Sequence, residues 1–222
     1  MVEQEGVIKY SLDFQHKTIR ANTKALRDIN TCRSVMIGKG LLGQDDSRYG
    51  GYGFGNISIR VTKSNNTFLI TGSQTGHKHS LSNKCLSCIT HIDVEQNSLC
   101  AHGVLKPSSE SMTHGVLYQQ SDQIQAVVHV HSPDIWRHAE ALNLASTPKE
   151  IPYGTPEMAY AVQQLSSELM LGQVALPILF VMKGHEDGIV AAGTSLVQCT
   201  NILLDALQRS KQFAQSKVGL TT

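Results

Sequence analysis

Residues 126–134, AVVHVHSPD, set two histidines one position apart at the end of an apolar, β-branched run that Ser132-Pro133 closes. Such a run reads as a strand, and along a strand residues i and i+2 share a face. His129 and His131 therefore present their imidazoles side by side, while Val128 and Val130 point the other way into a core. The spacing lets two ring nitrogens reach one ion at roughly 2.0–2.1 Å. It equally suits two polar side chains that hydrogen-bond locally, and a third ligand and an acid or base are needed to separate these readings.

The segments around this strand point to an α/β layered domain with a central mixed or mainly antiparallel sheet covered by helices. Apolar positions Ile19, Leu26, Ile29, Met36 and Ile37 form one stripe and predict a long first helix over residues 16–42. A glycine-rich loop, QDDSRYGGYGFGN, then leads to a hairpin of NISIRV and NTFLIT around the polar turn TKSNN. CITHID and SLCAHGVL form a second strand pair, followed by a short helix in SSESMTHGVLYQQ. Behind the histidine strand, SPDIWRHAEAL reads as a helix, as do residues 157–171 and 195–214, with strands LPILFVM and GIVAAG around the turn KGHEDG. The 222 residues, 41% hydrophobic, suffice for a single domain over 1–222, with its core at about 16–212 and a frayed tail over 213–222.

With a net charge of +1, only 17% charged residues and no long basic run, the chain lacks the electrostatic footprint of a nucleic-acid or anionic-membrane binder. The expected ligand is a small molecule. The N-terminal residues lack the basic-then-apolar order of a signal peptide, and no stretch of about 18 apolar residues is present, so a soluble cytoplasmic protein is expected. Five cysteines argue for reduced thiols. Cys85, Cys88, Cys100 and His102 offer an alternative zinc set, though at a spacing unlike common fingers.

His185 is the candidate third ligand, because an imidazole at a strand end can be aimed inward; Glu186 and Asp187 read as exposed turn charges. Glu110 is the candidate acid or base, at the first turn of its helix with His114 one turn later on the same face. Ser108, Ser109, GNIS at 55–58 and TGSQTG at 71–76 supply hydroxyls and main-chain N–H groups of the kind that hold phosphate or carboxylate oxygens.

Taken in this order, GFGNISIR, ITGSQTG, KPSSESMTH, AVVHVHSP, PYGTPEMA and GHEDGIVAAG resemble the class II aldolase and adducin head-domain family, from about residue 20 to residue 212. The resemblance implies a three-layer α/β/α domain. It implies that His129, His131 and His185 bind one divalent ion per subunit, usually zinc. Glu110 would shuttle the substrate proton and also approach the metal, with His114 supporting the site from behind. Gly55, Asn56, Ser58, Thr75, Gly76, Ser108 and Ser109 would line the pocket for a phosphate or an equivalent anion. The implied activity is retro-aldol cleavage of a sugar phosphate or related hydroxy-ketone, in a homotetramer with the site between subunits. Relatives on this scaffold also epimerise, dehydrate or decarboxylate, and the adducin branch serves in assembly. Three features depart from the aldolase pattern: EDG follows the later histidine, the TGSQTG loop is two residues longer, and no tyrosine follows Arg209.

Overall fold

In the computed structural model, residues 6–62, 66–172 and 175–218 are described. In chain order the elements are β1 (Ser11–His16), α1 (Thr23–Gly38), β2 (Gly43–Gln44), β3 (Gly53–Phe54), β4 (Asn56–Arg60), β5 (Phe68–Thr71), β6 (Leu86–Asp93), β7 (Ser98–Gly103), α2 (Ser111–Gln120), β8 (Ala126–His131), α3 (Pro133–Arg137), β9 (Ala145–Thr147), α4 (Pro156–Leu171), β10 (Ile178–Met182), β11 (Gly188–Gly193) and α5 (Leu196–Val218). Nine strands form one sheet in the order β1-β7-β6-β5-β4-β8-β11-β10-β9. The outer pairs β1–β7 and β10–β9 are parallel and the other neighbours antiparallel.

Strand alternation divides the core in two. Val128 and Val130 of β8 pack with Ile57, Ile189 and Ala191 beneath Ile29 and Met36 of α1 and Leu203 and Ala206 of α5. On the opposite face Val127, Ile70 and Phe180 meet Val116 and Leu117 of α2 and Met158 and Val162 of α4. The expected α/β sandwich is therefore present, and β8 is buried at every position because helices cover both faces.

Three boundaries differ from the sequence expectation. The helix expected over 16–42 spans only Thr23–Gly38, because the Asn22 side chain accepts from the Ala25 N–H at 2.7 Å and starts the helix there. Residues 17–22 carry no regular element, and ahead of them lies β1, whose parallel register on β7 no local pattern announces. The helix expected through Leu142 ends at Arg137, and β9, also parallel to its neighbour, follows it. The last helix runs on to Val218 and so takes in part of the expected frayed tail. Residues 63–65 of the TKSNN turn and residues 219–222 of that tail lie outside the described residues.

The antiparallel neighbours of β8 bring distant residues to one end of the sheet: Asn56 pairs with His129, and Gly188 with His131. The turn holding His185 closes against a neighbouring segment at Gly184, where a Cβ would stand 1.7 Å from the Ile151 carbonyl oxygen. Gly184→Ala is expected to lower unfolding free energy by roughly 2–3 kcal/mol through overpacking, and to loosen the adjacent His185. Urea titration reads the first effect; an unchanged midpoint would contradict this packing.

Candidate functional site

His129, His131 and His185 converge at that end, with one ligand atom from each lying within 4.8 Å of the others. All three are buried. The His129 Nδ1–H donates to the Ile189 carbonyl at 3.2 Å, which leaves Nε2 with its lone pair, and that atom faces His131 Nε2 at 3.1 Å. Two nitrogens sharing a tetrahedral ion with bonds of roughly 2.0–2.1 Å sit about 3.3–3.4 Å apart, so the observed pair fits such an ion closely. Burial, and then the neighbouring His185, hold both His129 and His131 well below the usual imidazole range. They are thus neutral, which is the ligating form.

Glu110 reaches the same place from the start of α2. Its Oε1 lies 3.7 Å from His185 Nδ1, and its Oε2 accepts from the Thr113 hydroxyl at 3.0 Å. It occupies the capping position that precedes the first turn, so its carboxylate turns toward the histidines. Beside them lies a polar recess lined by Gly55, Asn56, Thr75, Gly76, Ser108 and Ser109, all six expected there. Among the described residues the buried Asn56 Oδ1 has no hydrogen-bond partner.

Ser58 departs from this set. It shares the Asn56 face of β4 but stands two residues deeper, roughly 6.5 Å along the strand. Its hydroxyl is bonded to His114 Nδ1 at 2.7 Å and to the Tyr118 hydroxyl at 2.8 Å. His114, one turn after Glu110 on α2, is buried and lies near enough to disfavour protonation of His129. Burial lowers its pKa to about 3.

This buried neutral imidazole carries a pH dependence. Below about 6.5 an unfolded histidine takes up a proton that folded His114 refuses until about pH 3, so stability is full above that window and falls as pH drops through it. The expected loss from His114 alone at pH 5 is about 2 kcal/mol. Denaturant melts at pH 7 and pH 5 in chelator should show a difference that shrinks by about that amount in His114→Gln. An equal difference in both proteins would rule out this role for His114.

Several contributors escaped the sequence reading. Tyr153 stacks on His185 at 4.3 Å between centroids, and Lys9 places its ammonium 3.9 Å from the centre of the Tyr153 ring while donating to the Tyr153 carbonyl at 2.9 Å. Tyr49 packs its ring edge on His131 at 4.7 Å and donates to Asp187 Oδ2 at 2.8 Å. Asp187 is therefore a buried anchor and not an exposed turn charge, whereas Glu186 is exposed. Burial, and then the bond to Asp187, push the Tyr49 phenol up, so it remains a donor. Tyr49 and Asp187 both adopt positive φ, at 50° and 60°, and the only trace of this in the sequence is the glycine that follows each of them.

Among the described residues Cys85, Cys88, Cys100 and His102 do not gather as a metal-binding group. Two larger hollows of about 520 and 550 Å³ lie near Asn22 and Arg60 at the opposite end of the sheet, away from the histidines. Among the described residues no helix is long and apolar enough to cross a membrane.

Comparison with known proteins fits this geometry. The chain is 27% identical over 177 residues to a 3-oxo-tetronate 4-phosphate decarboxylase of Haemophilus influenzae, covering 72% of this chain and 77% of the relative. It is 39% identical over 80 residues to a methylthioribulose-1-phosphate dehydratase of Leptospira biflexa, a stretch of 36% of this chain and 37% of that protein. Its fold superimposes on an L-fuculose 1-phosphate aldolase from Thermus thermophilus with a TM-score of 0.64 at 17% identity, over 90% of this chain and 98% of that one. Residues 44–208 match the family described as the class II aldolase and adducin N-terminal domain, and the chain belongs to that family.

Proposed function

We propose that this protein is a zinc-dependent lyase that cleaves a phosphorylated ketose, or a related hydroxy-ketone, by a retro-aldol step. The observation that carries this reading is three buried histidines and one buried carboxylate meeting beside a polar recess. His129, His131 and His185 would hold the metal, which when bound supplies Lewis acidity for negative charge developing on the substrate's oxygens. Gly55, Asn56, Thr75, Gly76, Ser108 and Ser109 would bind the phosphate and so fix the reacting carbons near Glu110. In the cleavage direction the hydroxyl on the carbon that becomes the aldehyde would pass its O–H proton to the Glu110 carboxylate, the adjacent carbon–carbon bond breaks with its electron pair left on the donor carbon, and that carbon must be protonated. Glu110 would deliver that proton. Thr113 fixes one carboxylate oxygen, leaving the other directed toward His185.

A second reading, decarboxylation of a 3-oxo sugar-acid phosphate, is favoured by the relative that aligns along most of the chain. It needs the same groups, since loss of carbon dioxide leaves the same kind of carbanion to protonate. Dehydration or epimerisation would draw on the same carboxylate. An adducin-like role in assembly alone would leave the buried histidine set unexplained. We further propose that the chain acts as one cytoplasmic domain assembled into a homotetramer.

The test is a panel of ketose phosphates and 3-oxo sugar-acid phosphates offered to zinc-loaded protein in deuterated water. Aldehyde release or deuterium entry at the donor carbon supports the lyase; carbon dioxide release selects the second reading. A zinc-loaded protein that does neither across the panel overturns both.

A further inference from the structure

The first helix carries a cation where its apolar stripe should continue. Arg33 lies four residues after Ile29 and three before Met36, and is only 1% exposed. Its guanidinium faces no carboxylate among the described residues. Instead Nε donates to the Lys78 carbonyl at 2.8 Å, and one terminal nitrogen donates to the carbonyls of Thr75 at 2.7 Å, Gly76 at 3.0 Å and Lys78 at 2.6 Å. A buried charge with no counter-charge is costly, and an apolar side chain would extend the stripe without that cost. The loop it grips is the one that lines the polar recess.

In a trans peptide the N–H points opposite to the C=O of the same unit. By drawing the Thr75 and Gly76 carbonyls toward α1, Arg33 turns the Gly76 and His77 N–H groups away from it. The main-chain N–H groups of Gln74, Thr75, Gly76 and His77 donate to no acceptor among the described residues. Successive N–H groups of this kind form an anion-binding concavity. Thr75 contributes through its main chain, because its hydroxyl is committed to the Gly72 carbonyl at 2.8 Å. The loop also admits no side chain at Gly76, where a Cβ would lie 2.4 Å from the Gly43 carbonyl oxygen.

We propose that Arg33 is the positioning residue of the recess: from behind the loop it orients the 74–77 amides and adds its charge to their hold on the substrate's phosphate. The missing counter-charge of Arg33 is then the ligand itself. This rests on the reading that the recess takes a phosphate group.

The test uses zinc-loaded full-length protein with inorganic phosphate as probe, by titration calorimetry, on wild type, Arg33→Lys and Arg33→Gln. Metal content is measured alongside by elemental mass spectrometry. Glutamine keeps N–H donors for the carbonyls but lacks the charge; lysine keeps the charge. Arg33→Gln should weaken phosphate binding by roughly ten- to a hundredfold, in line with loss of a charged partner, and Arg33→Lys by clearly less, with metal content unchanged in both. Both variants binding phosphate as the wild type does would overturn the proposal, and so would equal losses in the two, which mark a purely structural clamp. Should Arg33→Gln fail to fold, amide exchange decides. Phosphate should slow exchange at 74–77 in wild type and do so less in Arg33→Lys, and equal slowing refutes the assignment. Wild type that holds zinc but binds no phosphate removes the recess from phosphate recognition and this proposal with it, while the lyase reading still faces its own panel. Wild type that binds phosphate but no zinc defeats the lyase reading and leaves Arg33 to be judged by its variants.

Discussion

Replacing His131 with alanine is expected to take the protein from about one bound zinc per subunit to nearly none, and to lower turnover by at least roughly a thousandfold. The ring stands 3.1 Å from its neighbour His129, nitrogen to nitrogen, and is completely buried. Its loss removes one of three ligands, and two histidines alone hold an ion weakly. The main chain at this position is secured independently by a bond from the His131 N–H to the Leu41 carbonyl at 2.9 Å and by pairing with Gly188. The variant should therefore fold, and circular dichroism verifies that. His185→Ala should behave alike, since its turn is closed by main-chain bonds from the His185 N–H to Met182 and from the Gly188 N–H to the His185 carbonyl. Full zinc occupancy in a folded His131→Ala protein would remove this cluster from the list of metal sites.

Glu110→Gln is expected to separate chemistry from metal binding. Glutamine fills the same volume and can still accept from Thr113, but it cannot carry a proton to a carbon. Turnover on whichever substrate the panel identifies should fall by about 10²–10⁴-fold, while zinc content stays within about a factor of two. Deuterium entry at the donor carbon should fall with it. If Glu110→Gln instead empties the site, the carboxylate serves chiefly to hold the metal, a role its 3.7 Å approach to His185 also permits. If turnover survives with zinc in place, another group moves the proton. The nearby phenols are then the groups to examine: Tyr49 packed on His131 and Tyr153 stacked on His185.

Much of the scaffold was legible from local pattern. Alternation in AVVHVH assigns His129 and His131 to one face and the valines to the other, and the two antiparallel pairs β4–β5 and β6–β7 follow from β-branched runs on either side of polar turns. Period-2 and near-period-4 spacing are properties of a few consecutive residues, so one sequence displays them. The edge strands β1 and β9 escaped because a parallel partner lies across an intervening crossover that leaves no local signal.

The sequence by itself determined the candidate residue types, their order and the strand face that two of them share, which needs only strand geometry; the expectation that they form one metal site came from the family resemblance. Only the tertiary structure decided what surrounds them. Tyr49 meets Asp187 across 138 positions of chain, Lys9 meets Tyr153 across 144, and Arg33 reaches Lys78 across 45. It also decided that Asn56 lines the recess while Ser58, on the same strand face, is spent on His114. Alternation gives a side chain its face but not its depth, and depth is set by which element packs against that face, here α2. The physical reason is that each of these contacts is a meeting of separately folded segments, whose distance in space is fixed by sheet order and helix packing and not by any spacing within the chain.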